Sequence, residues 1–142
     1  MPRHDNIEAL QQASTRFKLR DLDGYFKLYD NAVIHHGFSS RIRPGVAGLR
    51  THYEALLKGF PEMRIDIEDI IADGEKVAHR CTFTGTHSGE FLGLAPTGKV
   101  VRAPAVHIHL FKDARAVEVW QVFDSLTFLL EIGAVTKTAS KK

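Results

Sequence analysis

VVRAPAVHIHLFKDARAVEVWQVFD, residues 100–124, decides the fold. Two stretches of alternating character, 100–111 and 116–124, flank Lys112-Asp113-Ala114-Arg115, and the pattern reads as a β-hairpin with a short turn. With Asp113-Ala114 as a two-residue loop, Lys112 faces Arg115. Counting back pairs His109 with Glu118, His107 with Trp120, and Ala103 with Asp124, all on one face. The other face carries Val106, Ile108, Leu110, Val117, Val119 and Phe123, too apolar to leave in water. Both faces therefore need covers. Helices over the first would enclose a cavity lined by His107, His109, Trp120 and Asp124, with Ala103 and Ala105 leaving room for a ligand. A second subunit over the other predicts a homodimer or higher homo-oligomer. Everything here rests on the register: Ala114 stands where such a loop prefers Gly, and a one-residue slip exchanges the faces.

Working outward, residues 64–84 form an earlier hairpin. Arg64-Ile65-Asp66-Ile67-Glu68 alternates, Ala72-Asp73-Gly74-Glu75 is a turn, and 76–84 alternates again with Val77, Cys81 and Phe83 on one side. The preceding chain is helical. Asp5 and Glu8 resemble a capping box ahead of Ile7, Leu10, Ala13, Ser14 and Phe17. A short helical stretch follows Asp23-Gly24, and Val33-Ile34-His35-His36 is briefly extended. A second long helix carries Val46, Leu49, Tyr53, Leu56 and Leu57 and ends near Gly59, because Pro61 forces Phe60 to be extended. A last short helix fits 126–132. Helices followed by an antiparallel meander argue for an α+β domain over residues 1–135, with a flexible polar tail at 136–142.

Composition sets the outer limits. The chain has 142 residues, 44% hydrophobic and 25% charged, with 19 Lys and Arg against 17 Asp and Glu. These are the proportions of one ordinary globular domain. No basic stripe suggests nucleic acid, and no apolar run approaches a membrane span. The first six residues lack the pattern of a signal peptide, and the single Cys81 has no internal partner for a disulfide, so a cytoplasmic location is expected.

Residues 85–99, GTHSGEFLGLAPTGK, resemble the GTH-x-G-x-F-x-G-x-x-PTG-K signature of the SnoaL-like polyketide cyclase (ester cyclase) family. Phe60-Pro61-Glu62 is similar to the family's FPD, and Glu118-Val119-Trp120 with Asp124 to its E-x-W-x-x-x-D. The likeness runs from about Gly24 to Ala134. It implies the cone-shaped α+β roll of the nuclear transport factor 2-like superfamily. It also implies an intramolecular aldol ring closure on a polyketide ester, with no metal or organic cofactor and with Asp124 as acid and base. The sequence departs from the family at Leu110 (often Arg), Ala114 (Gly), Glu62 (Asp) and Glu131 (Gln), and the fold hosts isomerases, hydrolases and pure binding proteins as well.

Aldol closure needs a base for an acidic carbon, a donor for the enolate, and an acid for the attacked carbonyl. A carboxyl in an apolar cavity beside Trp120 would have a raised pKa and could serve as both base and acid. His107 or His109 would donate to the oxyanion. The resemblance implies a pocket histidine at His35 or His36, which point oppositely in an extended segment, so one of them would bind a substrate oxygen. Phe91 and His87 of the Gly-rich loop complete the expected lining, for a small apolar or aromatic carbonyl compound. Each residue also has a structural reading: Asp124 as a helix cap, His107 as a core histidine, His109 and Glu118 as a structural pair, His87 as an organiser of its loop. A metal on His107, His109 and Glu118 is the competing constellation, but its spacing is unsuitable. Cys81 has no basic partner near it in sequence.

Overall fold

The computed structural model describes residues 3–39 and 41–136. Most of the expected tail, from residue 137 on, lies outside them. The elements in chain order are α1 (Arg3–Lys18), α2 (Leu22–Phe26), β1 (Tyr29–His36), α3 (Gly45–Gly59), β2 (Arg64–Asp73), β3 (Lys76–Thr86), β4 (Val100–Lys112), β5 (Arg115–Phe123) and α4 (Ser125–Glu131). The five strands form one sheet in the order β1-β5-β4-β3-β2, antiparallel except where β1 joins β5 in parallel. The architecture is α+β, as the hydrophobic pattern implied, and the roll that the family resemblance implied.

Spacing explains the helices. Leu10, Ala13 and Phe17 recur on one side of α1 and are buried, as are Leu49 and Tyr53 of α3. Asp5 is not a cap as expected; α1 starts at Arg3, so Asp5 sits in its first turn, where a negative charge favours the helix dipole. Asp21 caps α2 by accepting from Gly24 N at 3.0 Å. α3 stops at Phe60, which takes φ −133° and ψ 70°; the ring of Pro61 excludes helical backbone at the residue before it.

The core lies between helices and sheet. Phe60 meets Phe83, Phe91 and Phe128 at 5.4, 5.5 and 5.4 Å between ring centroids, and full burial of such rings contributes roughly 1.5–3 kcal/mol each. The Gly-rich loop docks on the end of α3, where Ser88 N and Gly89 N donate to Gly59 O. A Cβ at Gly89 would stand 1.9 Å from Lys58 O, which is why glycine is needed there.

The hairpin β4–β5 corrects the expected register. Its turn is as read: Lys112 pairs with Arg115, and Asp113 and Ala114 both take positive φ, 52° and 68°, as the loop requires. One residue later Phe111 pairs with Ala116 but Leu110 pairs with Glu118, so Val117 is an extra residue, a β-bulge. Beyond it His109 faces Val119, His107 faces Gln121, and Ala105 faces Phe123. The expected pairs His109–Glu118, His107–Trp120 and Ala103–Asp124 do not form. Without the bulge Glu118 would enter the helix-covered face as an unpaired carboxylate, which costs several kcal/mol. With it, Glu118 and Trp120 turn to the other face and Val119 is buried.

The uncovered face of the sheet therefore differs from the expected one. It carries Val106, Ile108 and Val122, which are 41%, 37% and 73% exposed, with half-buried Leu110 and Trp120. Val119 has joined the core, and Phe123 packs against Phe83 and Phe128 on the inner side.

Candidate active site

Under α1, α2 and α3 the inner face of the sheet lines a partly open cavity of about 40 Å³. Its walls are Leu10, Ser14 and Phe17 of α1, Tyr25 of α2, Tyr29 of β1, Tyr53 of α3, Ile65 and Ile67 of β2, His79 of β3, and His107 and His109 of β4. Period-two alternation puts the histidines together: His79 pairs across the ladder with His107, and His109 is two residues farther along the same face. The rings of His79 and His107 stack at 4.8 Å, and those of His79 and His109 at 5.4 Å. Among the described residues the lining contains no carboxyl group. A larger, open groove of about 360 Å³ lies behind α1 and α2, lined by Arg16, Asp21 and Lys27 among others, but no catalytic grouping converges on it.

Burial sets the charge state of the cavity. Loss of hydration pushes the His79 imidazole down to about 3, with repulsion from His107 adding to it. His107 is pushed down to about 4 by burial, against a hydrogen bond to Gln121 that acts in the other direction. His109 lies well below its usual range, again by burial and then by its two neighbouring imidazoles. Burial also raises the phenols of Tyr25, Tyr29 and Tyr53. At neutral pH the cavity therefore holds neutral imidazoles and protonated phenols.

The hydrogen bonds distinguish the histidines. His107 Nε2 donates to Gln121 Oε1 at 2.9 Å, and its Nδ1 lies 3.7 Å from Cys81 Sγ. His109 Nε2 shares a 3.1 Å hydrogen bond with Tyr29 Oη, which is 3.4 Å from Tyr25 Oη. The Nδ1 atoms of His109 and His79 are buried without a partner among the described residues. Toward the edge of the site, Phe38 lies 5.3 Å from His52 and 6.3 Å from His107 between ring centroids.

Several expected site residues lie elsewhere. Asp124 is exposed and caps α4, accepting from Thr127 N at 3.1 Å and Thr127 Oγ1 at 2.7 Å. Those hydrogen bonds, side chain first, hold its carboxyl below the usual range, the opposite of the expected shift. Trp120 and His36 stack at 5.3 Å on the outer face, where His36 also pairs with Glu118 at 2.6 Å. That pair also dissolves the metal constellation of His107, His109 and Glu118. His35 is half-buried and bonds Arg43 O at 3.1 Å. Phe91 packs on Phe60 and Phe128 rather than lining the cavity. His87 is fully buried, accepts from Thr97 N and orders the Gly-rich loop.

His107 and His109 thus share the cavity as read, but His79, Gln121 and the three tyrosines were not among the expected site residues. His79 had a signal: it falls between Val77 and Cys81 in the alternation of β3. Tyr25, Tyr29 and Tyr53 looked like helical core residues, and no local pattern separates a core phenol from a cavity phenol.

A five-stranded mixed sheet with an apolar cavity between it and three helices is the arrangement of a nuclear transport factor 2-like roll. A profile of the SnoaL-like polyketide cyclase family matches residues 7–132, so the chain belongs to that family. Among solved structures, AclR of Streptomyces galilaeus, a candidate hydroxylase, is 28% identical with a TM-score of 0.84, over 96% of this chain and 85% of that one. IdmH of Streptomyces antibioticus, a candidate polyketide cyclase, is 27% identical with a TM-score of 0.77, over 90% of this chain and 98% of that one. TsrD of Streptomyces laurentii, at 18% identity and a TM-score of 0.84 over 95% and 99%, shares the fold. No curated protein sequence matches the chain significantly.

Proposed function

We propose that this protein catalyses an aldol-type ring closure, or a related proton transfer, on a small aromatic carbonyl compound of the polyketide ester kind. One observation carries the reading: a buried imidazole, His109, has one nitrogen anchored to a phenol and the other without a partner among the described residues, on the wall of an apolar cavity. With the proton of His109 on Nε2, donated to Tyr29 Oη, the lone pair of Nδ1 is free to take a proton from the substrate carbon. A protonated phenol of the Tyr25–Tyr53 side donates to the enolate oxygen as it forms, and the imidazolium then returns its proton to the oxygen of the attacked carbonyl. Burial that weakens His109 as a base in the resting site is offset as the enolate forms beside the imidazolium, because the pair attracts strongly in a poorly hydrated cavity.

His107, expected as a candidate donor to the oxyanion, has both ring nitrogens engaged by Gln121 and Cys81, so the proposal gives the base role to His109. The same reasoning moves it from Asp124, whose carboxylate is occupied at the cap. A volume of about 40 Å³ has room for ordered water but not for a ring system. A ring system would fit only if lining side chains, Leu10, Ser14 and Phe17 of α1 among them, gave way. The outer sheet face, with Val106, Ile108 and Val122, is proposed as the contact of a homodimer.

The experiment is proton exchange rather than product formation, since it needs only the acidic carbon. An aryl β-keto ester in D2O is followed by NMR with and without protein. Wild type should accelerate deuterium incorporation, His109→Gln should lower the rate roughly 100- to 10,000-fold, and Asp124→Asn should leave it within about twofold. Loss of exchange in Asp124→Asn with retention in His109→Gln would return the base role to Asp124. Binding of the ester without exchange by wild type would make the protein a carrier.

A further inference from the structure

We propose that His79, Cys81 and His107 form a site for a single borderline transition-metal ion, Zn2+ first among them, at the edge of the cavity. The three side chains come from facing positions of β3 and β4, and their ligating atoms all lie within 4.8 Å of one another. All three are buried, with His79, Cys81 and His107 at 7%, 2% and 6% exposure. Two imidazoles and one thiolate are a donor set suited to zinc or cobalt, and three protein ligands with a fourth position open is the arrangement of catalytic rather than structural zinc.

The distances fit with one adjustment. Bond lengths of about 2.3 Å to sulfur and 2.05 Å to nitrogen place tetrahedral S and N ligands about 3.6 Å apart, and Cys81 Sγ already lies 3.7 Å from His107 Nδ1. His79 is stacked nearly parallel to His107, at 14° between planes, so its ring must turn about χ2 to aim a nitrogen at the same point. That rotation sacrifices nothing at Nδ1, which is buried without a partner among the described residues.

The surroundings are those of a ligand set. His107 Nε2 donates to Gln121 Oε1, and Gln121 Nε2 donates in turn to Gly37 O at 3.4 Å. This fixes the ring and leaves the lone pair of Nδ1 on the side of the sulfur, the role that outer hydrogen bonds play at metal-ligating histidines. On binding, the thiol gives its proton to solvent, and the resulting thiolate leaves the ion with one net positive charge. His79 and His107 both line the cavity, so the open position faces it and would take water or a carbonyl oxygen. The inference stands apart from the proton-transfer reading, and metal binding alone tests it.

The test uses tag-free protein stripped with a chelator and dialysed, then titrated with Co2+ under absorption and with Zn2+ by calorimetry. The expected result is one ion per chain, micromolar or tighter, with a thiolate-to-cobalt charge-transfer band and the intense visible bands of a tetrahedral site. Cys81 is the single cysteine of the chain, so in wild type that band identifies it without a variant. His79→Ala and His107→Ala should each weaken Zn2+ roughly 100-fold or more, and His36→Ala, which removes a surface imidazole, should not. Binding weaker than millimolar, or cobalt binding with no sulfur band, would overturn the assignment, as would affinity that follows His36 instead of His79 and His107.

Discussion

Replacing Tyr29 by Phe tests the centre of the site without touching a charge. Tyr29 is 2% exposed, and its hydroxyl makes the 3.1 Å hydrogen bond to His109 Nε2. His109 Nδ1 already lacks a partner among the described residues, so Tyr29→Phe leaves a fully buried imidazole with neither nitrogen bonded. Stranding one buried polar atom costs about 1–3 kcal/mol, and the 3.4 Å contact to Tyr25 is too long to add much. With a urea slope of about 2 kcal/mol/M the unfolding midpoint should fall by about 0.5–1.5 M. At about 3 °C per kcal/mol for a chain of this length, Tm should fall by about 3–9 °C. The assay is urea unfolding followed by far-UV circular dichroism, in wild-type and His109→Leu backgrounds. Where His109 is already Leu, no imidazole is stranded, and Tyr29→Phe should cost at least about 1 kcal/mol less. An equal cost in both backgrounds, or none in wild type, would show that the hydroxyl does not serve the imidazole and would remove the anchor from the proposed base.

Two further outcomes follow from burial. His52 is pushed from 6.5 down to about 4, chiefly by burial and then by His35; the unfolded chain therefore takes up this proton first, and the associated stability is present above pH 6.5 and lost as pH falls through about 4. The full shift would be worth about 3 kcal/mol, and partial exposure reduces it to about 1–2 kcal/mol. His52→Gln should flatten the stability profile between pH 7 and 4 by that amount in urea titrations, and an unchanged profile would place the imidazole in water. The outer sheet face should hold a dimer in sedimentation at micromolar concentration, and Ile108→Lys should release soluble monomer; a monomeric wild type, or a dimer indifferent to Ile108→Lys, would assign the interface elsewhere.

Much of the architecture was legible because burial enforces period. The alternation in 64–84 and 100–124, the helical stripe through Leu49 and Tyr53, and the stop imposed by Pro61 each follow from local rules, and they suffice for the α+β class, the roll itself being what the family resemblance added. The side of β4 was also readable: His107 and His109 are buried while Val106 and Ile108 face out. What the alternation could not deliver was β5, because one unpaired residue, Val117, reverses every side chain after it. The Ala116-to-Val119 spacing of the two fully buried residues is the trace of that bulge, three where a regular strand would give two or four.

The displaced register explains why the expected site and the observed cavity share histidines but not acids. Glu118, Trp120 and Asp124 were placed inside by a count that ran through the bulge without it, and each instead has an outer or terminal partner: His36 for the first two, Thr127 for the third. The residue that takes the place beside His107 is Gln121, a side chain that orients an imidazole but cannot itself exchange a proton at neutral pH. On the proposed function, a cavity so built would draw its proton chemistry from imidazoles and phenols. Those groups come from β1, β3, β4, α2 and α3, elements far apart in the chain, and no short motif could have announced them. The Gly-rich signature at 85–99 resembles the family most closely, yet His87 and Phe91 within it serve to dock the loop. Its contacts are packing ones: His87 stacks on Phe60, and Ser88 N and Gly89 N donate to Gly59 O at the end of α3.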